Sequence, residues 1–581
     1  MRARWAAMAG GAVLAGAGAA LSADLPTASA QACQALAHTA FPEPSTVLLT
    51  VVTRDAGPVS AAGPLPAAEA PAHCQLVGKM RERQGANGQT YAVRFQVRLP
   101  VRWNGRLFFE GGGGSDGVLG AGLGALMGGQ PGNALGRGYA VVITDAGHDN
   151  AVNNDPQRQG VVTFGWDPQA RRDYGGAAIG PVVKAAKAAV KAYYGRGPDF
   201  TYYVGGSKGG QEAMMASQRF PDDFDAVLVG YPAFHLAYAG GVEQMWDAQA
   251  FGEAARAMGQ LSADGLPLAN KAMTDEDLLL VSGAVLKACD HLDGLEDGLV
   301  ENYTACTTAQ VAPALARIAC KGAKAPDCLL PVQIAAVTKV MGGARARDGR
   351  SLYSEWPWDP GIAARTAQGV SQGWRAWKLG AYASPVNGGL AVILGGASAS
   401  AVFTSPPTPV ADNPAALTRY TLGVDIERNW EATRRKWGPF DESAVDFMHA
   451  DATDLSKFTS RGGKILIYHG VADPVFSIND TIAWVRAVDA HEKGRADRFL
   501  RFYATPGMNH GGGGPSTDQF AAFDALVAWR ERDVPPGPLV ATARANTPWP
   551  GRTRLLCPYP MQARYASGDT ELASSFRCVG P

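Results

Sequence analysis

Ser207 lies in Gly205-Gly206-Ser207-Lys208-Gly209, where small residues flank a hydroxyl on both sides. A serine on a sharp turn from strand to helix presents its Oγ as a nucleophile, and small neighbours avoid the clashes that bulk would cause there. The hydroxyl is weak by itself, so the chemistry needs a base and an acid that orients the base. Asp473, in Tyr468-His469-Gly470-Val471-Ala472-Asp473-Pro474, and His510, in Pro506-Gly507-Met508-Asn509-His510-Gly511, follow in the order serine, aspartate, histidine. That order, with each residue in a loop just after an apolar run, predicts that His510 removes the Ser207 proton while Asp473 fixes the imidazole tautomer. His148, His449 and His469 stand in a less suitable order or context and are expected to be structural. The oxyanion of an acyl-transfer intermediate needs backbone donors. Lys208, directly after the nucleophile, supplies one, and the run Glu110-Gly111-Gly112-Gly113-Gly114 can supply the other, with Gly114 the expected residue.

A second cluster, Cys289-Asp290-His291-Leu292-Asp293-Gly294-Leu295-Glu296-Asp297-Gly298-Leu299, sets carboxylates among glycines that permit tight curvature. Hard oxygen ligands of this kind suit Ca²⁺. The run departs from an EF-hand, since Leu295 occupies the third loop position and Thr304 the twelfth, where Glu is required, and a solvated acidic turn has the same composition.

These residues require a framework. Leu107-Phe108-Phe109, Tyr139 to Ile143 and Thr201 to Val204 read as buried strands, Tyr174 to Tyr194 as a helix, and Gln211 to Arg219 as the helix after the serine. Strands at Lys464 to Tyr468 and Phe499 to Tyr503 follow, with a last helix over Asp518 to Trp529. Alternating strands and helices predict a parallel sheet, and the motif order predicts an α/β-hydrolase fold. Between them, residues 234–450 hold cysteine pairs, the acidic cluster and seven of the thirteen tryptophans. This stretch is expected to be a lid inserted into a core formed by residues 31–233 and 451–581.

The 581 residues allow a large core, and 53 basic against 53 acidic side chains give no surface suited to nucleic acid. A small-molecule partner is expected; the oligomeric state is not encoded legibly. Arg2 and Arg4, an apolar run to Leu21 and Ala28-Ser29-Ala30 predict an export signal over residues 1–30, and so a periplasmic or secreted protein without stable membrane insertion. Eight cysteines suit an oxidising compartment, although eight allow roughly a hundred connectivities. Local closeness suggests Cys289 with Cys306, Cys320 with Cys328 and Cys557 with Cys578, leaving Cys33 for Cys74.

Taken together, Trp103-Asn104-Gly105-Arg106, Gly205 to Gly210, Gln218-Arg219-Phe220-Pro221, Asp290 to Leu299, Trp374-Arg375-Ala376-Trp377, Pro506 to His510 and Leu556-Cys557-Pro558-Tyr559-Pro560 resemble the tannase and feruloyl esterase family over nearly the whole mature chain. The resemblance implies Gly114 and Lys208 as oxyanion donors, and the same four disulfides. It also implies Ca²⁺ held by the side chains of Asp290, Asp293 and Asp297 with the carbonyls of Leu295 and Leu299. Two features depart from the family. Its usual cysteines before the nucleophile and after the catalytic histidine are Gly206 and Gly511 here, so packing alone must hold these loops. Members that act on terephthalate monoesters present an Arg to the substrate carboxylate and a Phe over its ring, and Gly388 to Gly395, including Leu390 and Ala391, contains neither. Lys208 could reach an anionic acyl group as a point charge.

The expected function is hydrolysis of esters of aromatic acids, of feruloyl, galloyl or terephthalate-monoester type, through an acyl-enzyme, with Trp377, Leu390 and Ala391 at the substrate. A terephthalate-monoester hydrolase proper, a non-catalytic binding protein and a serine peptidase on the same fold are the alternatives.

Overall fold

A computed structural model describes residues 30–60, 67–366, 368–370 and 373–580. The expected export signal lies outside them, save Ala30. Nine strands form the main sheet: β1 (Val47–Arg54), β2 (His73–Gln84), β3 (Thr90–Pro100), β4 (Arg106–Glu110), β5 (Ala140–Thr144), β6 (Phe200–Gly206), β7 (Ala226–Gly230), β8 (Lys464–Gly470) and β9 (Leu500–Thr505). Their order is β1-β2-β3-β5-β4-β6-β7-β8-β9. The pairs from β1 to β5 across β3 are antiparallel, and those from β5 through β9 are parallel.

The parallel strands read as continuous apolar runs because both faces are covered. Leu107, Phe109, Tyr203, Val227, Val229, Ile465 and Ile467 face one layer, and Phe108, Tyr202, Val204, Ala226, Leu228, Leu466 and Tyr468 face the other. Each such aliphatic or aromatic side chain stabilises the fold by about 1.5–3 kcal/mol on burial. A charge at Val227 would therefore break the sheet at its centre. The first layer is helix α1 (Ile179–Tyr194), whose Val182, Val183, Ala186 and Val190 are buried. The helix begins later than periodicity suggests, because Gly176, at φ 132°, interrupts the turn over Asp173–Ala177. Helix α2 (Lys208–Arg219) follows Ser207 directly.

Among the described residues, 234–450 add no strand to the main sheet. They carry α3 (Gln244–Ala257), α4 (Asp275–Cys289) and α5 (Pro331–Met341), packed around Phe251, Val281, Val285, Val340, Trp356, Trp358 and Trp374. A Thr274–Asp277 capping box starts α4, satisfying two of its free N–H groups. Val475 and Phe476, from the loop after β8, join this cluster, so the inserted segment is packed onto the acid loop.

Helix α6 (Ile478–His491) follows, and α7 (Ala522–Arg532) covers the second face with Phe523 and Leu526. The last helix starts four residues after the expected Asp518. Asp518 instead accepts from Gly513 N at 2.6 Å and pairs with Arg544, which anchors the loop after His510. The four disulfides join Cys33 to Cys74, Cys289 to Cys306, Cys320 to Cys328 and Cys557 to Cys578, as local closeness suggested. Among the described residues no helix is long and apolar enough to cross a membrane.

Candidate active site

β6 ends at Gly206 and α2 begins at Lys208, so a single residue makes the turn between them. Ser207 takes φ 61° and ψ −124°, a sparsely populated conformation that only a tightly determined turn retains. Its N–H donates to Gly230 O at 3.0 Å, and its carbonyl accepts from Gly210 and Gln211 in the first turn of α2. His510 Nε2 lies 2.9 Å from Ser207 Oγ, and His510 Nδ1 lies 2.8 Å from Asp473 Oδ2. The carboxylate neighbour sets the tautomer: Nδ1–H donates to Asp473, which leaves Nε2 to accept from the serine hydroxyl. The three residues predicted from order and spacing therefore meet in one hydrogen-bonded relay.

Asp473 is buried. Burial alone would raise its pKa, but His510 and a second histidine, His469, hold the carboxyl well below the usual range. Its other oxygen accepts from Val475 N at 2.7 Å and Phe476 N at 3.2 Å. His469, expected to be merely structural, is fully buried; Thr481 Oγ donates to its Nδ1 at 2.9 Å, and its Nε2 stands 3.2 Å from Asp473 Oδ2. It thus steadies the acid without touching Ser207. His148 stacks on Phe164 at 3.9 Å, and His449 lies beside His235, both apart from the relay.

Three aromatic rings wall His510: Tyr231 at 4.7 Å, Phe476 at 5.6 Å and Trp377 at 6.0 Å between centroids. Tyr231 answers the question left by Gly206 and Gly511. A Cβ on Gly206 would fall inside the hydroxyl end of the Tyr231 ring, and one on Gly511, at φ 80°, would stand 3.0 Å from its oxygen. The ring occupies the space between the two glycines, where the family's paired cysteines would stand. Sequence reasoning missed Tyr231, since nothing local marks it; the paired loss of bulk at positions 206 and 511 was the available signal.

A cavity opens over Ser207, bordered by Gly114, Lys208, Leu236, Gln244, Trp377, Leu394, Ser398, Phe403 and Phe476 among others. Gly114 and Lys208 thus border the same cavity as Ser207. The Gly-rich loop is held from below: Glu212 Oε2 accepts from Gly112 N at 3.1 Å and from Tyr203 OH at 2.8 Å. Lys208 Nζ binds Glu212 Oε1 at 2.8 Å and lies 4.5 Å from the Tyr174 ring centre, both side chains of the pair being buried. Its charge is therefore spent within the protein rather than offered to an acyl group. Trp377 borders the cavity as expected; Leu390 and Ala391 do not. Ala391 is wholly buried and Leu390 points outward, because the helical turn from Leu390 presents Leu394, Gly395 and Ser398 instead.

The acidic loop gathers Asp290, Asp293 and Asp297 beside the fully buried Glu301. Asp290 accepts from Asp297 N and Gly298 N, Asp293 from Leu295 N and Glu301 N, and Asp297 from Leu299 N. Burial, opposed by these N–H groups and reinforced by neighbouring carboxylates, pushes Asp290 up to about 6 and Asp293 up to about 7. Crowded, desolvated carboxylates of this kind fit a hard divalent cation, which would relieve their repulsion. Arg554 and Arg552 sit on Asp297 and compete for it.

The chain is 41% identical over 576 residues to the mono(2-hydroxyethyl) terephthalate hydrolase of Piscinibacter sakaiensis, spanning 96% of this chain and 93% of that one. It is 26% identical to a probable feruloyl esterase of Arthroderma benhamiae, over 84% of this chain and 82% of the other. Among solved structures, feruloyl esterase B from Aspergillus oryzae superposes with a TM-score of 0.69 at 22% identity, covering 95% of this chain and all of that one. A tannin acyl hydrolase from Aspergillus niger gives 0.64 at 18%, with 96% and 95% covered, and both show the shared α/β-hydrolase fold. Residues 74–579 match the family described as tannase and feruloyl esterase, and the chain belongs to that family.

Proposed function

We propose that this protein is an exported serine carboxylic ester hydrolase that cleaves esters of aromatic acids through an acyl-enzyme. The relay from Ser207 through His510 to Asp473, opening on a cavity walled by Trp377 and Phe476, carries this reading. His510 Nε2 takes the Ser207 proton as Oγ attacks the ester carbonyl, and returns it to the leaving alcohol; Asp473 stabilises the imidazolium formed between. The N–H groups of Gly114 and Lys208 receive the oxyanion. Water then enters, His510 removes its proton as the water oxygen attacks the acyl carbon, and His510 returns that proton to Ser207 Oγ as the Oγ–acyl bond breaks and the aromatic acid departs. Residues 234–450 act as the lid that supplies the ring-binding wall.

Ca²⁺ in the loop of Asp290, Asp293 and Asp297, with the carbonyls of Leu295 and Leu299, has a structural role: it would neutralise the acidic turn, at a distance from the reacting atoms. Four disulfides suit the oxidising compartment that an export signal implies.

Ser207→Ala tests the reading. It should lower kcat on feruloyl and galloyl esters by about 10⁴-fold or more with the melting temperature unchanged. Activity within tenfold of the parent enzyme would remove Ser207 from the chemistry. A second reading, hydrolysis of terephthalate monoesters, is favoured by the 41% identical relative. The cavity itself argues for uncharged acyl groups, since Lys208, the one cation bordering it among the described residues, is already paired with Glu212.

A further inference from the structure

His235 stands just beyond β7, where the chain leaves the main sheet for the inserted segment, and His449 and Asp451 stand where it returns. The two crossings touch: Ala450 N donates to Phe234 O at 3.0 Å. We propose that His235, His449 and Asp451 form a transition-metal site of the zinc type, oriented by Asp480, which pins the two ends of the inserted segment together against the sheet.

The donor spacing is the first support. One ligand atom from each residue lies within 4.8 Å of the others, with His235 Nε2 3.2 Å and His449 Nδ1 3.9 Å from Asp451 Oδ2. Tetrahedral zinc with bonds near 2.0–2.1 Å sets its ligand atoms about 3.3 Å apart, so of the three pairs the His235–Asp451 pair already fits, and the two that include His449, all within 4.8 Å, close by side-chain rotation. The second support is orientation. His235 Nδ1 is 2.6 Å from Asp480 Oδ1, which directs Nε2 toward Asp451 in the carboxylate–histidine–metal arrangement.

The third support is the free approach to His449 Nδ1. His449 is 6% exposed, and its Nδ1, which faces Asp451, stands 3.9 Å from that carboxylate, beyond hydrogen-bond reach and wide enough for an ion between the two. Its Nε2, without a partner among the described residues, belongs to the other side of the ring and takes no part in the site. Tyr238 packs beside both rings, at 4.7 Å from His449 and 6.0 Å from His235, and keeps one side dry. Asp451 faces solvent, so water can complete the coordination. Two imidazoles and a carboxylate suit zinc rather than Ca²⁺, which separates this site chemically from the Asp290 loop.

The competing arrangement is an imidazolium of His235 held between Asp451 and Asp480, in which His449 takes no part. To separate the two, the full chain is stripped of transition metals, returned to excess Ca²⁺ and titrated with Co²⁺ and with Zn²⁺. One equivalent of Co²⁺ should bind with the visible bands of a four-coordinate site, Zn²⁺ should displace it, and Zn²⁺ should raise the melting temperature. His449→Gln and Asp451→Asn should each abolish the bands. Asp451 is exposed, so its variant keeps the test open if the buried substitution impairs folding. No saturable binding by the parent protein, or the same spectrum and stoichiometry in either folded variant, overturns the site.

Discussion

Replacing Tyr231 by alanine tests whether an aromatic ring does the work of an absent disulfide. The ring fills the gap between Gly206 and Gly511 and lies edge-on to His510 at 4.7 Å, with an interplanar angle of 72°. An edge-to-face pair contributes about 0.5–1.5 kcal/mol beyond area burial. If that orienting energy is lost only when His510 must align with Ser207, the chemical step slows by about 2- to 13-fold. The void left beside two glycines adds to this, because both loops can then shift, and a displacement near 1 Å in a catalytic group costs up to about 10²-fold. Tyr231→Ala should therefore lower kcat by about 10- to 100-fold with little change in KM for a neutral aryl ester, and should lower the melting temperature. Tyr231→Phe keeps the ring and should stay within about threefold, under half of the tenfold that 1.36 kcal/mol represents. Steady-state kinetics with a chromogenic ester and a thermal melt on each variant decide the matter. If alanine retains kcat within twofold of the parent, or if phenylalanine is as impaired as alanine, ring packing does not hold the histidine.

Cysteines introduced together at Gly206 and Gly511 should destabilise the protein while Tyr231 remains, by about 1–3 kcal/mol for overpacking alone, and should be tolerated better beside Tyr231→Ala; thermal melts of the two combinations test this. Asp359 is wholly buried, accepts from Gly361 N and Gly507 N, and burial pushes it up to about 6. Its folded pKa lies above the unfolded value near 3.9, so the folded state holds the extra proton between them and stability should fall as pH rises from about 4 to 6; Asp359→Asn should flatten that slope in urea melts at stepped pH. Removing Ca²⁺ with a chelator should lower the melting temperature, restored by Ca²⁺ but not in Asp293→Asn, whereas an unchanged melt would leave the acidic loop a simple turn. Because Leu394 rather than Ala391 borders the cavity, Leu394→Arg should raise kcat/KM for a terephthalate monoester by about tenfold, or ~1.4 kcal/mol, relative to its methyl ester; a strong parent preference for the free carboxylate would refute the uncharged pocket.

Features that depend on neighbours in the chain were legible, and those that depend on neighbours in space were not. Strands such as Ala226–Gly230 and Lys464–Gly470 are covered on both faces and so appear as unbroken apolar runs. Ser207, Asp473 and His510 each end a strand-loop unit, which made their order and setting readable. Leu390 and Ala391 were misplaced because a stretch known only by composition does not say which face of its helical turn looks inward. Asp518 was read as helical because its capture by Gly513 and Arg544 is invisible locally. Glu212, His469 and Tyr231 look like ordinary helix, strand and loop residues until folding sets them beside the nucleophile's loops.

Each of the three functional loops is held by a residue outside it, and this bears on how the inserted segment can move. The Gly-rich loop hangs on Glu212 of α2, and the acid on His469 of β8, both fixed parts of the sheet layers. The histidine loop differs: Gly507 N donates to Asp359, which belongs to the inserted segment, and Trp374 Nε1 of that segment donates to Ala472 O beside the acid. Trp377, three residues further on, borders the cavity and His510. A rigid swing of the whole segment would break these buried hydrogen bonds and disturb the relay, at a cost of about 1–3 kcal/mol for each group left unpaired. Motion of the wall around Leu390 to Ser398, which has no such hydrogen bond to the histidine loop among the described residues, therefore costs less than lifting residues 234–450 as one body. The part of the segment that carries Asp359 and Trp374 is thus hydrogen-bonded to the loops of Asp473 and His510, and the part around Leu394 borders the cavity.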